Sequence, residues 1–191
     1  MKIQKTSTNV SPFAGISFVN NEFEKVGMCH LIDSELGARV KTVGFSYSGI
    51  IKNLCNVFYS GGDCAEDIQS HLGKHLKSIP GNSVPSADTI LRGIKEVATE
   101  NSTFESKQGN MYDFNINTKL NTLNIKSLLL TKQLGTDTYY DFDYDNQIIA
   151  TEKYDTKRTY KHCKGNCQGV VTIGKQNILY RNPRWKCQCE I

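Results

Sequence analysis

The sequence has no long apolar run, a single tryptophan, four prolines and little excess of charge of either sign. Each shortage excludes something. A membrane-spanning helix needs about 20 consecutive apolar residues, and no stretch approaches that. The opening "MKIQKTSTNVSPF" lacks the apolar core of a secretory signal. The expected location is therefore cytoplasmic, with no membrane among the partners. With 23 Lys+Arg against 19 Asp+Glu, charge is compatible with nucleic acid but does not argue for it alone. The 191 residues suffice for one ordinary domain or two small ones, and no internal repeat is visible.

Cysteine is the residue in surplus, with seven. Cys29, Cys55 and Cys64 lie singly, and Cys55 inside "IIKNLCNVF" reads as a small core residue. Without export, a disulfide framework is not expected. Cys163, Cys167, Cys187 and Cys189, with His162, could supply thiolates to a structural zinc. Their C-x3-C and C-x-C spacings depart from the usual paired C-x2-C, and unrelated cysteines are the simpler reading.

The first hundred residues read as short helices. "ISFVNNEFEKVG" places Ile16, Val19, Phe23 and Val26 at helical spacing, and Gly27 suits a stop. "CHLIDSELG" is a second helix. "SYSGIIKNLCNVFYSGG" has Ser46 or Ser48 as N-cap and a stripe of Ile50, Leu54, Val57 and Phe58. "DCAEDIQSHLGKHL" opens with acids that suit the positive end of a helix dipole. After the Pro80–Pro85 loop, Ser86 caps a helix whose buried stripe is Ile90, Leu91, Ile94 and Val97. Polar residues 101–112 read as a loop. "INTKLNTLNIKSLLLTKQLG" is a long amphipathic helix dominated by Leu120, Leu123, Ile125, Leu128 and Leu130. From "DTYYDFDYD" onward the period changes to two, and "QIIATEK", "GVVTIG" and "NILYR" also read as strands.

Three constellations could carry chemistry. In "YYDFDYDNQ", Asp141, Asp143 and Asp145 alternate with aromatics, so a strand would point three carboxylates one way. Carboxylates can hold divalent ions for phosphoryl chemistry, and magnesium usually takes one or two from a protein. The competing reading, an exposed strand face with a few acids, is favoured by the residues alone. Arg92 and Lys95, with Lys74, His75 and Lys77, could touch DNA phosphates; a solvated helix face is the plainer alternative. The segment "EKYDTKRTYKHCK" brings Lys153, Lys157, Arg158, Lys161 and Lys164, with Tyr154 and Tyr160, beside the aspartates. A nucleic-acid enzyme would hold metal with the acids and the backbone with the bases; a solvated loop is the alternative.

The stretches "KTSTNVSPFAGISFVN", "GGDCAEDIQSHL", "IPGNSVPSADTILRGIKE", "LNIKSLLL" and "YYDFDYDNQIIATEKYDTKRTYK" together resemble the N-terminal part of a DDE-type transposase of a bacterial insertion sequence. The resemblance runs from residue 5 to about 174. It implies an α+β chain in which a helical DNA-binding and dimerisation region (1–100) precedes a loop and connecting helix (101–136) and the first strands of an RNase H-like α/β core (137–174). It implies two Mg2+ ions held by two Asp and one Glu, and DNA partners at the terminal inverted repeats. Asp143 is then the first catalytic and metal-binding acid, because the family usually places it second in a D-x-D strand; Asp141 is the fallback. Arg92, Lys95, Lys157, Arg158 and Lys161 are the DNA-binding candidates.

The departures are as informative. Nothing matches the second Asp, in its R-x-D-x-G-like motif, or the Glu, so the resemblance implies a C-terminally truncated core whose sheet keeps an open edge. "GNCQG" at 165–169 stands where relatives have an aromatic-Pro segment. After "VTIG", residues 175–191 diverge. One permitted spelling of the last eleven codons, read one nucleotide later, gives "EIQDGNANVK", close to the family's continuation, and Trp185, with its single codon, still fits. A frameshift near Lys175 is the expectation, which makes Cys187 and Cys189 accidental. The chain is then an inactive transposase fragment. The alternatives are a non-catalytic DNA-binding regulator forming mixed dimers with the full-length enzyme, or a zinc-stabilised binding domain.

Overall fold

Two serines set the helices around which the first core forms. Ser46 Oγ accepts from Gly49 N (3.2 Å) and Ser86 Oγ from Thr89 N (3.3 Å), each satisfying a backbone donor that a helix start leaves free. The computed structural model describes residues 11–39, 44–109, 111–136, 139–152, 156–159 and 161–183. The chain divides between Val97 and Ala98 into a helical unit and a β-rich unit.

The helical unit contains α1 (Gly15–Lys25), α2 (Met28–Leu36), α3 (Tyr47–Tyr59), a π-helical turn (Ile68–Leu72) running into α4 (Gly73–Lys77), and α5 (Ala87–Glu96). Its core joins Ile16, Ile50, Val57, Ile68, Leu72, Leu76, Ile79 and Ile90. The π turn needs Gly73, because the Ile68 carbonyl occupies the place a Cβ would take there. Asp67, read above as part of a helical first turn, precedes the turn and accepts from Asp63 N and Cys64 N. These donors hold its carboxyl below the usual range.

α5 differs from the stripe expected of it. Ala87, Ile90 and Gly93 are buried, whereas Leu91 and Ile94 are exposed. The cause is Gly93: a Cβ there would lie 2.5 Å from Ile50 Cδ1. The missing side chain lets α3 and α5 approach closely, and the helix turns its glycine face inward. Phe58 on α3, Val19 on α1 and Val26 just after α1 are likewise exposed rather than core.

The β-rich unit contains β1 (Ser102–Glu105), β2 (Met111–Asn115), α6 (Thr118–Leu130), β3 (Asp143–Ala150), β4 (Lys157–Arg158), β5 (Lys164–Ile173) and β6 (Gln176–Pro183). The strand order is β1-β2-β6-β5-β3, with β4 also on β5, and every pairing is antiparallel. The mixed α+β class is as expected. The 101–112 loop, however, is a hairpin. It has no apolar alternation to betray it; Thr103 Oγ1 donating to Asp113 Oδ1 (2.7 Å) and a turn through Gly109 (φ 80°) hold it instead.

The "GNCQG" stretch has a packing reason. Gly165, Cys167 and Gly169 are buried at every second position of β5. A Cβ at Gly169 would collide with the Tyr144 hydroxyl, and one at Gly165 would lie 2.5 Å from the Ile149 carbonyl oxygen. The glycines let β3 and the Tyr144 ring lie against β5.

Candidate nucleic-acid interface

The acid strand is shorter than its alternation suggests. β3 begins at Asp143, opposite Thr172, and Asp145 lies opposite Val170. Asp141 precedes the strand. The reason is its partner: β5 ends at Ile173 and turns through Gly174 (φ 57°), so no strand remains for residue 141 to pair with. Asp143 and Asp145 share one face with Gln147 and Ile149, all exposed. Asp145 Oδ1 accepts from Asn146 N (2.7 Å). Among the described residues, no three His, Cys, Asp or Glu side chains converge as a metal site. A two-metal centre needs more carboxylates than this face gathers, so the residues do not fit the Mg2+ pair and no step is derived through it.

Among the described residues, the acids and the bases stand at opposite ends of β5. Arg158 pairs with Lys164 at one end of β5, whereas Asp143 pairs with Thr172 at the other. Eight residues of strand separate them, roughly 25 Å at 3.3 Å per residue. Arg158 and Lys161 are exposed. Lys157 opens β4, its side chain lying outside the described residues, as do Lys153, Tyr154 and Tyr160. Lys164 reaches Glu152 only at 3.8 Å, in an exposed pair of little energetic weight.

The helical unit separates its cations into two groups. Lys25 pairs with Glu22 and Lys52 with Glu24, both at 2.8 Å. Arg39 is half-buried and grips Glu96 through Nε (2.7 Å) and Nη2 (2.8 Å), while its Nη1 donates to the Phe45 carbonyl and its guanidinium lies over the Tyr47 ring. Hydrogen bonding from Arg39 holds the Glu96 carboxyl below its ordinary value. This clamp ties the C-terminal end of α5 to the segment before α3. Lys74 and Lys77 on α4, and Arg92 and Lys95 on α5, are exposed. Among the described residues none of the four forms an ion pair.

The zinc reading loses a ligand. Cys163 is a free thiol within 3.2 Å of Thr159 Oγ1, but Cys167 is disulfide-bonded and so offers no thiolate. That bond also corrects the expectation of a chain without disulfides. Cys187 and Cys189, with residues 184–191 of the divergent 175–191 tail, lie outside the described residues, whereas Gln176–Pro183 of that tail form β6. Cys55 is partly exposed rather than core, and burial pushes its thiol up.

Sequence reasoning missed a run of asparagines. Asn115 Nδ2 donates to the Thr99 and Glu100 carbonyls, Asn117 Oδ1 caps α6 by accepting from Leu120 N, and Asn121 and Asn124 bond the backbone of β6. The signal was their density in "NINTKLNTLN". No helix among the described residues is long and apolar enough to cross a membrane. Comparison of the chain with protein families, with curated proteins and with solved structures finds no match in any of the three.

Proposed function

We infer that this chain is a DNA-binding protein of the DDE-transposase type that grips duplex DNA by its phosphates through the helical unit. The observation that carries the reading is the division among the cations. Lys25, Lys52 and Arg39 are spent on neighbouring carboxylates, whereas Lys74, Lys77, Arg92 and Lys95 stand exposed without an ion pair among the described residues. Exposed cations release counterions from a polyphosphate on contact, and that gives affinity without sequence readout. The Arg39–Glu96 clamp holds the end of α5 on which Lys95 stands.

On the same reading β3 and β5 are opening strands of an RNase H-like sheet, and Asp143 heads the first. One acid of three supports no strand transfer by these residues, and Mg2+-dependent cleavage of DNA is not expected from them. DNA as partner goes with a cytoplasmic location; the disulfide at Cys167 is a feature that compartment does not favour.

The test is a titration of the full chain into a mixed-sequence duplex at several salt concentrations. Binding should weaken steeply with salt, and the double variant Arg92→Ala/Lys95→Ala should flatten the slope of log K against log salt by roughly 1 to 2. Lys25→Ala, which removes a cation already paired, should leave it unchanged. Equal slopes for all three proteins would defeat the proposal.

A further inference from the structure

The open edge expected of this sheet is not open at β6, and what closes it is unusual in kind. Along one side β6 pairs with β5 from Gln176 to Arg181. Along the other, β2 supplies only two pairs, Phe114 with Pro183 and Asn115 with Asn182. Continued by two residues, that register would set residue 117 opposite Tyr180. The chain turns away instead, and Asn117 becomes the N-cap of α6. Four residues later α6 returns a side chain to the vacated place. Asn121 Nδ2 donates to the Tyr180 carbonyl (3.1 Å), and Asn121 Oδ1 accepts from Tyr180 N (3.0 Å). A carboxamide carries the same donor and acceptor as a peptide group, so this is the two-bond exchange of an antiparallel ladder made by a side chain.

One turn on, Asn124 Nδ2 donates to the Asn177 carbonyl (2.7 Å) and the Ile178 carbonyl (3.3 Å). There β6 carries a register irregularity opposite Val171 and Thr172. Asn121 is buried, and Leu123 and Leu128 of the same helix are buried as well. Two amides one helical turn apart thus occupy the outward-facing groups of residues 177, 178 and 180, those an incoming strand would use.

We propose that α6 is a strand substitute: Asn121 and Asn124 seal the β6 edge against strand addition by a second copy of this chain. An edge that offers unpaired backbone groups templates such pairing, and proteins cover such edges with a helix or loop. Here the cover is chemical as well as steric, since the backbone groups are satisfied rather than merely hidden. Loss of the amides frees three carbonyls and one N–H on a strand that already has its other side ordered by β5.

The test uses the full chain. Asn121→Leu/Asn124→Leu keeps side-chain size and removes every amide bond to the edge. Sedimentation velocity over a concentration series should show self-association at least roughly tenfold tighter than the unaltered protein, given the several hydrogen bonds made available. Asn121→Asp keeps the acceptor for Tyr180 N and places a charge on the edge, and should not add to association. A folded double-leucine variant that sediments like the unaltered protein overturns the proposal, as does an aspartate variant that associates as strongly as the leucine one. If the leucine variant does not fold, hydrogen exchange in the unaltered chain decides. Protection of the Tyr180 amide comparable with the β5–β6 ladder supports the seal, and exchange at the rate of an open edge overturns it.

Discussion

The two units bury their apolar residues very differently. Of the apolar side chains buried among the described residues, thirteen lie in the helical unit and five in the β-rich unit. Of the large apolar side chains left exposed, seven lie in the helical unit and ten in the other. The helical unit holds one contiguous core in which Ile50, Val57, Leu76 and Ile90 are almost wholly enclosed. The β-rich unit is a sheet with one helix, and it relies on backbone ladders and on asparagines acting as backbone. Apolar burial contributes about 25 cal/mol per Å2, whereas a hydrogen bond exchanged with water nets only about 1 kcal/mol. The helical unit therefore has its own source of stability, and the β-rich unit depends on a few well-placed groups.

The largest expected effect tests this contrast at two isoleucines. Ile90→Ala should cost about 2–5 kcal/mol, the range for emptying an enclosed core site. Ile149→Ala, on the exposed face of β3, should change stability by no more than about 0.5 kcal/mol. Denaturant unfolding measures both, and equal costs would break the comparison. Next in size is Gly93→Ala. Ile50 Cδ1 stands where the new methyl would go, so overpacking should cost about 1–3 kcal/mol, although alanine favours a helix over glycine. A stabilised variant would show that α3 and α5 are not as tightly apposed as described.

The smallest expected effect is on pH dependence. The Glu96 carboxyl is held below its ordinary value in the folded chain, first by its hydrogen bonds from Arg39. Its contribution is therefore fully present above the usual Glu range and is lost as pH falls through the lowered value. The acid side of the helical unit's stability curve should carry this loss, and Glu96→Gln should remove that portion of the curve. An unchanged acid limb in the variant would show that the Arg39 clamp does not set it.

The parts legible in the sequence are those governed by neighbours along the chain. Ser86 caps the helix it was expected to cap, and Ser46, one of the two candidates, caps α3, because capping is decided within four residues. The burial of Ile50, Val57 and Ile90 follows from local period. Where approach between elements decides, reading fails. Gly93 rotates α5 away from its expected stripe, and nothing local in "LRGIKE" says that Ile50 fills the glycine's place. Asp141 drops out of its strand because β5 turns at Gly174, more than thirty residues away in sequence. The separation of Asp143 from Arg158 along β5 is a matter of strand register, which proximity in the sequence does not reveal. The density of asparagines is visible in the sequence, but the role of Asn121 and Asn124 is not, for a related reason. A carboxamide on a helix has no meaning until the strand edge it faces is known.

The most direct measurement follows from the division at Val97 and Ala98. Residues 1–97 contain Lys74, Lys77, Arg92, Lys95 and both partners of the Arg39–Glu96 clamp. Expressed alone, this piece should unfold cooperatively. Its duplex-DNA affinity should show the same slope against log salt as that of the full chain, within about one phosphate contact. A piece that does not fold, or that folds and loses most of the slope, would contradict the assignment of DNA binding to the helical unit.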